Sequence, residues 1–310
     1  MSSNSLKRLA QLLAGLLVIW VGLTVWRRSS RDVERRFELP RFDRRAINGA
    51  IIARTADTMR LARSGGGWTA NGFRASDANV EQLLDAMADT AAQTELIAES
   101  KTSHERLGVD SAKARRVTLQ QGDKTAAEIL VGSRGGSYES AYVRKPGDDA
   151  VYQIKGRLNE LAERPLDDWR DKRVVTLQPD SILGIEVQAG KQGYQLTRSG
   201  GGWTVNGAPA DSAAMVALLN QFRELIASGF ATKSQIDSAS FVKPDKVVRL
   251  SGRTGSLVVL SFDSTAAGFW GRRDGDSTTY KFESWAVNQL APAESTLRQK
   301  APAAAPAPKP

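Results

Sequence analysis

No cysteine occurs in the 310 residues. Disulfide staples, thiolate metal sites, a lipid-modified cysteine and cysteine nucleophiles are all excluded with it. Histidine occurs once, at His104. Metal sites built on several imidazoles are therefore ruled out, and Ser-His-Asp chemistry would have to run through this one ring. Its neighbours, Lys101-Thr102-Ser103 and Glu105-Arg106, read as a solvated segment. One stretch lacks charge altogether. Leu9 to Trp26 reads LAQLLAGLLVIWVGLTVW, with only Gln11 and Thr24 polar. As a helix these residues would extend ~27 Å, close to a hydrocarbon core of ~30 Å.

That stretch predicts a single-pass anchor in the cytoplasmic (inner) membrane, with residues 9–26 in contact with lipid. Lys7 and Arg8 precede it, Arg27 and Arg28 close it, and Trp26 suits an interface. Val25-Trp26-Arg27-Arg28 is a poor cleavage site for a signal peptide. The net charge of +9 is then placed rather than diffuse. Residues 1–45 carry ten Lys/Arg against four Asp/Glu, and the remainder is close to balanced. Bases beside an apolar helix meet anionic headgroups, so the charge does not argue for a nucleic-acid partner.

The strongest internal signal is a duplication. LARSGGGWTANG over residues 61–72 returns as LTRSGGGWTVNG over 196–207, at an offset of 135 and with ten of twelve positions identical. Short β-prone stretches precede both copies, and amphipathic helical patterns follow at 77–90 and 211–225. Val117-Thr118-Leu119 then matches Val248-Arg249-Leu250, and Ala126 to Val131 matches Leu257 to Phe262. Each unit reads β-β-β-α, four further strands and a closing helix, with the alternation of antiparallel sheets. The expected fold class is α+β: one N-terminal transmembrane helix followed by two tandem repeats of a mostly antiparallel, β-rich α/β unit. The expected segments are a tail at 1–8, the transmembrane helix at 9–26, an Arg-rich linker at 27–45, repeat units at 46–168 and 181–297 joined by 169–180, and an Ala/Pro-rich tail at 298–310.

The glycine runs invite a phosphate-binding reading, but they lie between strands and lead to Trp rather than to a helix. Gly65, Gly66, Gly67 and Trp68, with Gly200, Gly201, Gly202 and Trp203, read as hairpin turns in which glycine supplies positive φ. Asp148-Asp149, Asp167-Asp168 and Asp274/Asp276 read as solvated turns. Trp169, Arg170, Asp171 and Arg173 combine an aromatic with dense charge, which suits an inter-unit brace or a partner contact. No catalytic set, metal site or cofactor site is expected.

Several of these motifs occur together: the twice-used Gly-Trp hairpin, Leu107-Gly108-Val109-Asp110, Leu130-Val131-Gly132, Tyr142-Val143-Arg144 and Arg170-Asp171-Lys172-Arg173. Over roughly residues 46–297 the chain resembles the domain-of-unknown-function family 4340. The resemblance implies a protein found beside an ABC-type transporter of the gliding-motility class, with a membrane-protein partner and the body outside the cytoplasm. The arginines between Arg27 and Arg45 argue for the reverse orientation. The function expected is that of a non-enzymatic accessory or scaffold protein of a transporter or envelope complex. The alternatives are a carboxylate-dependent hydrolase of envelope carbohydrate, or a small-ligand sensor using a cleft between the repeats.

Overall fold

Met59 and Leu61 alternate with exposed neighbours along one strand, and Val117 and Leu119 alternate with exposed or half-buried ones along another. This period of two buries one face of a sheet and leaves the other wet. The computed structural model describes residues 19–20, 37–38, 41–89, 94–238 and 241–299. They divide into two compact units, one ending at Trp169 and the next beginning at Arg170.

Unit 1 holds strands β1 (Gly49–Ala53), β2 (Thr58–Ser64), β3 (Gly67–Ala70), β4 (Phe73–Arg74), β5 (Thr94–Ala98), β6 (Arg115–Gln121), β7 (Lys124–Arg134), β8 (Ser140–Arg144) and β9 (Val151–Lys155). Its nine-stranded sheet has the order β4-β3-β2-β1-β6-β7-β8-β9-β5. Unit 2 begins with β10 (Arg173–Val175). It continues with β11 (Gly184–Ala189), β12 (Gln192–Ser199), β13 (Gly202–Val205), β14 (Ala208–Pro209), β15 (Leu225–Ile226), β16 (Gly229–Phe230), β17 (Lys246–Gly252), β18 (Gly255–Thr265), β19 (Gly268–Arg273) and β20 (Tyr280–Phe282). Its large sheet runs β14-β13-β12-β11-β17-β18-β19-β20-β16, and β10 pairs with β15 apart from it. Strand for strand, the two large sheets have the same order. The strand pairs in both are antiparallel, and Arg63↔Trp68 in one matches Arg198↔Trp203 in the other.

One long helix per unit covers the buried face. In unit 1 this is α1 (Asp77–Ala88), opened by Ser76, whose side chain accepts from the Asn79 N–H. Such a cap satisfies one of the four orphan amides of a helix start. Val80, Leu83, Leu84 and Met87 fall on one face and are buried in the unit's core. Three short helices follow in unit 1: α2 (His104–Leu107), α3 (Leu158–Glu163) and α4 (Leu166–Trp169). In unit 2 the counterpart of α1 is α5 (Ser212–Gln221), capped by Asp211 onto the Ala214 N–H at 2.9 Å. Met215, Leu218 and Leu219 are its buried residues, again 135 positions on. Each unit has its own hydrophobic cluster.

The architecture corrects the expected fold class. The body is a mostly antiparallel β protein, and among the described residues no helix is long and apolar enough to cross a membrane. The physical reason is length. The longest described helix, α1, has 12 residues and extends ~18 Å, against the ~30 Å of a hydrocarbon core. The expected span at 9–26 lies outside the described residues except for Ile19 and Trp20, which are helical and exposed. The expected inner-membrane placement is corrected with it. The expected tail at 1–8 also lies outside the described residues, as does all but 298–299 of the tail expected at 298–310.

Two further strands depart from the expected order. β5 and β16 follow the long helices and pair at the far sheet edge with β9 and β20.

Candidate functional site

The repeated hairpins position the most informative geometry. In unit 1, Ser64 faces Gly67 across a two-residue turn in which Gly65 and Gly66 have φ of 58° and 94°. Both central residues are then left-handed, the form that suits the twist of the flanking strands. In unit 2 the same letters fold differently. Gly202 takes φ 145°, while Gly200 and Gly201 stay out of the left-handed region.

The tryptophans after these turns also differ. Trp68 is buried, with the Arg63 guanidinium 5.2 Å from its ring centroid. Its C=O accepts from the Ala75 N–H at 2.8 Å, and its N–H donates to Asp77 Oδ1 at 3.0 Å. Asp77, the first residue of α1, therefore ties the hairpin to the helix start. At the matching place in unit 2, the Trp203 C=O accepts from the Ala210 N–H at 2.9 Å. Ser212 now stands where Asp77 stood, and no side chain accepts from the Trp203 N–H among the described residues. Trp203 is only half-buried.

There the surface opens into a groove of about 810 Å³ between the β12–β13 hairpin and α5. Trp203, Met215 and Leu219 supply apolar lining, and Val216 lines it while 60% exposed. Arg198 and Arg223 also line it. Arg198 shares its charge with exposed Asp180 at 3.3 Å, and Arg223 makes no ion pair among the described residues.

Unit 1 carries a smaller groove, about 330 Å³, with a different character. Its charges neutralise one another. Glu160 accepts from Arg157 at 2.8 and 2.9 Å and from Arg164 at 3.1 Å, and Glu163 pairs with Arg115. The Arg157 hydrogen bond, reinforced by Arg164, pulls the Glu160 carboxyl down to about 2. Asp245, bonded by Ser264, and Glu294, bonded by Arg298, are likewise held below the ordinary carboxylate range.

The junction residues do not form one surface group. Trp169 lies in the core of unit 1, with Nε1 donating to the Arg164 C=O at 3.2 Å and its own C=O accepting from the Ser76 N–H. Arg170 stacks on Phe230 within unit 2, 3.5 Å from the ring centroid. Asp171 and Arg173 are brought together by three hydrogen bonds between 2.9 and 3.1 Å. His104 is buried rather than solvated, with Nε2 2.9 Å from the Asp149 C=O. Among the described residues, no group of three or more His, Asp or Glu is placed to hold a metal ion.

The segments of the family resemblance converge. A Cβ on Gly132 would meet Val109 Cγ1 at 2.5 Å and would crowd the Leu107 C=O. Arg144 donates Nε and Nη2 to the Val109 C=O at 3.2 and 3.0 Å. Leu107-Gly108-Val109, Gly132 and Arg144 thus make one structural corner. Compared with known families, residues 68–246 match the family described as "Domain of unknown function (DUF4340)". The chain belongs to this family. The match begins in β3 of unit 1 and ends at the start of β17 in unit 2, so it takes in both Trp68 and Trp203. No curated protein and no solved structure matches the chain significantly.

The contrast between Asp77 and Ser212 escaped the sequence reading. The signal was present: at the offset of 135, Ser76-Asp77 faces Asp211-Ser212. The swapped pair just beyond the identical letters sets which side chain meets the hairpin tryptophan amide: Asp77 does so in unit 1, and in unit 2 Asp211 bonds the Ala214 N–H instead.

Proposed function

We propose that the protein is a non-enzymatic accessory or scaffold component of an ABC-type transporter or envelope complex, holding a partner protein on the surface of its duplicated sheet units. The observation that carries this reading is the divergence of the two hairpin-to-helix junctions. One copy closes the hairpin-to-helix junction with its own carboxylate, and the other leaves an apolar groove flanked by arginines. Apolar grooves with a few placed polar groups are where ligands and partners bind. The transporter partner is inferred from membership of the family. The test is co-purification of the tagged full chain in mild detergent, with transporter components sought by mass spectrometry. Their specific recovery is expected, and their absence from the wild-type eluate would overturn the proposal.

A further inference from the structure

We infer that the groove of unit 2 docks an acidic, aliphatic segment of a partner protein, whose carboxylate takes the place that Asp77 takes in unit 1. The inference deepens the accessory reading and relies on it for the existence of a partner.

Unit 1 displays the occupied form of the site. There the amide of the hairpin tryptophan donates to a carboxylate at the start of the long helix. The register of β12 on β13 repeats that of β2 on β3, so the Trp203 amide points to the same place. Ser212 does not fill it, and Asp211 is already committed to the Ala214 N–H. An amide left at a partly buried place wants an acceptor. A charged acceptor is favoured further by the N-terminal end of α5 and by hydrogen bonding to an ion.

The rest of the groove selects what carries that carboxylate. From Ser212 to Arg223 the lining follows one face of the helix and its final turn, a run of ~16 Å that matches about five extended residues. Trp203, Met215, Val216 and Leu219 offer apolar contact along it. Arg198 and Arg223 give the rim a positive excess over Asp180. A segment with one Asp or Glu among aliphatic side chains complements all three features, and an aspartate on a polypeptide is what fills the place in unit 1.

The probe is a capped peptide, acetyl-Leu-Asp-Leu-Val-Leu-amide, titrated calorimetrically into the full chain beside its Asp-to-Asn counterpart. The acidic peptide should bind about tenfold more tightly, as expected for one charge-assisted contact. It should also slow hydrogen exchange in fragments covering residues 199–212. Ser212→Asp installs the carboxylate that unit 1 carries, so the variant should fold and lose binding at least about tenfold. Ser212→Ala should keep binding, and Arg223→Ala should weaken it severalfold. Equal affinity for the two peptides, undiminished binding to Ser212→Asp, or no binding by the wild type would each overturn the inference. Co-purification separates it from the broader proposal. If transporter components follow Ser212→Asp as well as wild type, the groove is not the docking site and the accessory reading stands. If the peptide pattern holds while wild type recovers no components, the accessory reading falls alone.

Discussion

At the scale of single residues, Glu160 shows how this protein uses its charge. The carboxylate sits between Arg157 and Arg164 and is about half exposed. Its folded pKa, about 2, lies below the ordinary carboxylate value. The ionised form is therefore favoured by folding, and the stability it adds is complete above the unfolded value of about 4.3. That contribution fades as the pH falls from there toward 2. Solvent screening keeps the contribution to about 1 kcal/mol or less, as for other exposed ion pairs. Glu160→Gln should therefore lower the urea midpoint modestly at pH 7, and the gap to wild type should narrow as pH drops from 5 to 3. A gap that is unchanged across that range would show that the ion pair contributes nothing. Asn71 and Asn206 are the converse case, residues whose role is local and was visible in the letters. Each takes φ near 47°, each precedes a left-handed glycine, and each carboxamide oxygen accepts from a backbone amide eleven residues earlier. The Asn-Gly pair is the strongest short signal for such a turn.

At the scale of elements, Gly132 is a position with no room for a side chain. It lies in β7 where the register with β8 shifts between Val131 and Arg134, and the turn after α2 packs directly against it. Gly132→Ala pushes a methyl group into Val109 and the Leu107 C=O, and should cost about 1–3 kcal/mol by overpacking. Gly229→Ala meets nothing within 4 Å at an ordinary φ and should stay within about 0.5 kcal/mol. Denaturant midpoints of the two variants give the comparison, and equal losses would remove the steric account. The words Leu107-Gly108-Val109, Leu130-Val131-Gly132 and Tyr142-Val143-Arg144 were legible in the sequence. Their meeting was not, because it depends on a strand folding back onto a turn about 25 residues earlier in the chain. The repeated turn, the long helices and the strands with clean alternation were legible for the same reason: their signals are local. β5 was missed because its burial pattern has no alternation and its partner β9 lies more than fifty residues on. β16 has only two residues. The burial of His104 was hidden by charged neighbours, since the acceptor that satisfies it, the Asp149 C=O, is 45 residues away. At the candidate site the hairpin residues were legible, and the open groove was not. Its lining joins residues from the β12–β13 hairpin, α5 and the turn after it, which no single motif brings together.

At the scale of the whole molecule, the described residues form two large cores with no buried residue in common, beside a small cluster of Leu107, Val109 and Val151. The boundary falls between Trp169 and Arg170, so adjacent residues serve different cores. Trp169 is fully buried, closes unit 1, and accepts the Ser76 N–H at the start of α1 through its C=O. Replacing it by Ala removes one of the largest side chains of that core and should cost about 3–5 kcal/mol. Phe222 is its counterpart in depth, fully buried in the core of unit 2. If each core is the cooperative unit, Trp169→Ala lowers the melting of unit 1 and leaves that of unit 2 in place, and Phe222→Ala does the reverse. Scanning calorimetry of the full chain reads the transitions. Hydrogen exchange in fragments covering β6–β7 and β17–β18 assigns each one, because those strand pairs lie at the centre of each sheet. The double variant should show the sum of the two losses to within about 0.5 kcal/mol, as sites without shared partners do. A Trp169→Ala variant that lowers both sets of strands together would mean that the duplicated units melt as one, and that their separate cores do not make them separate folding units.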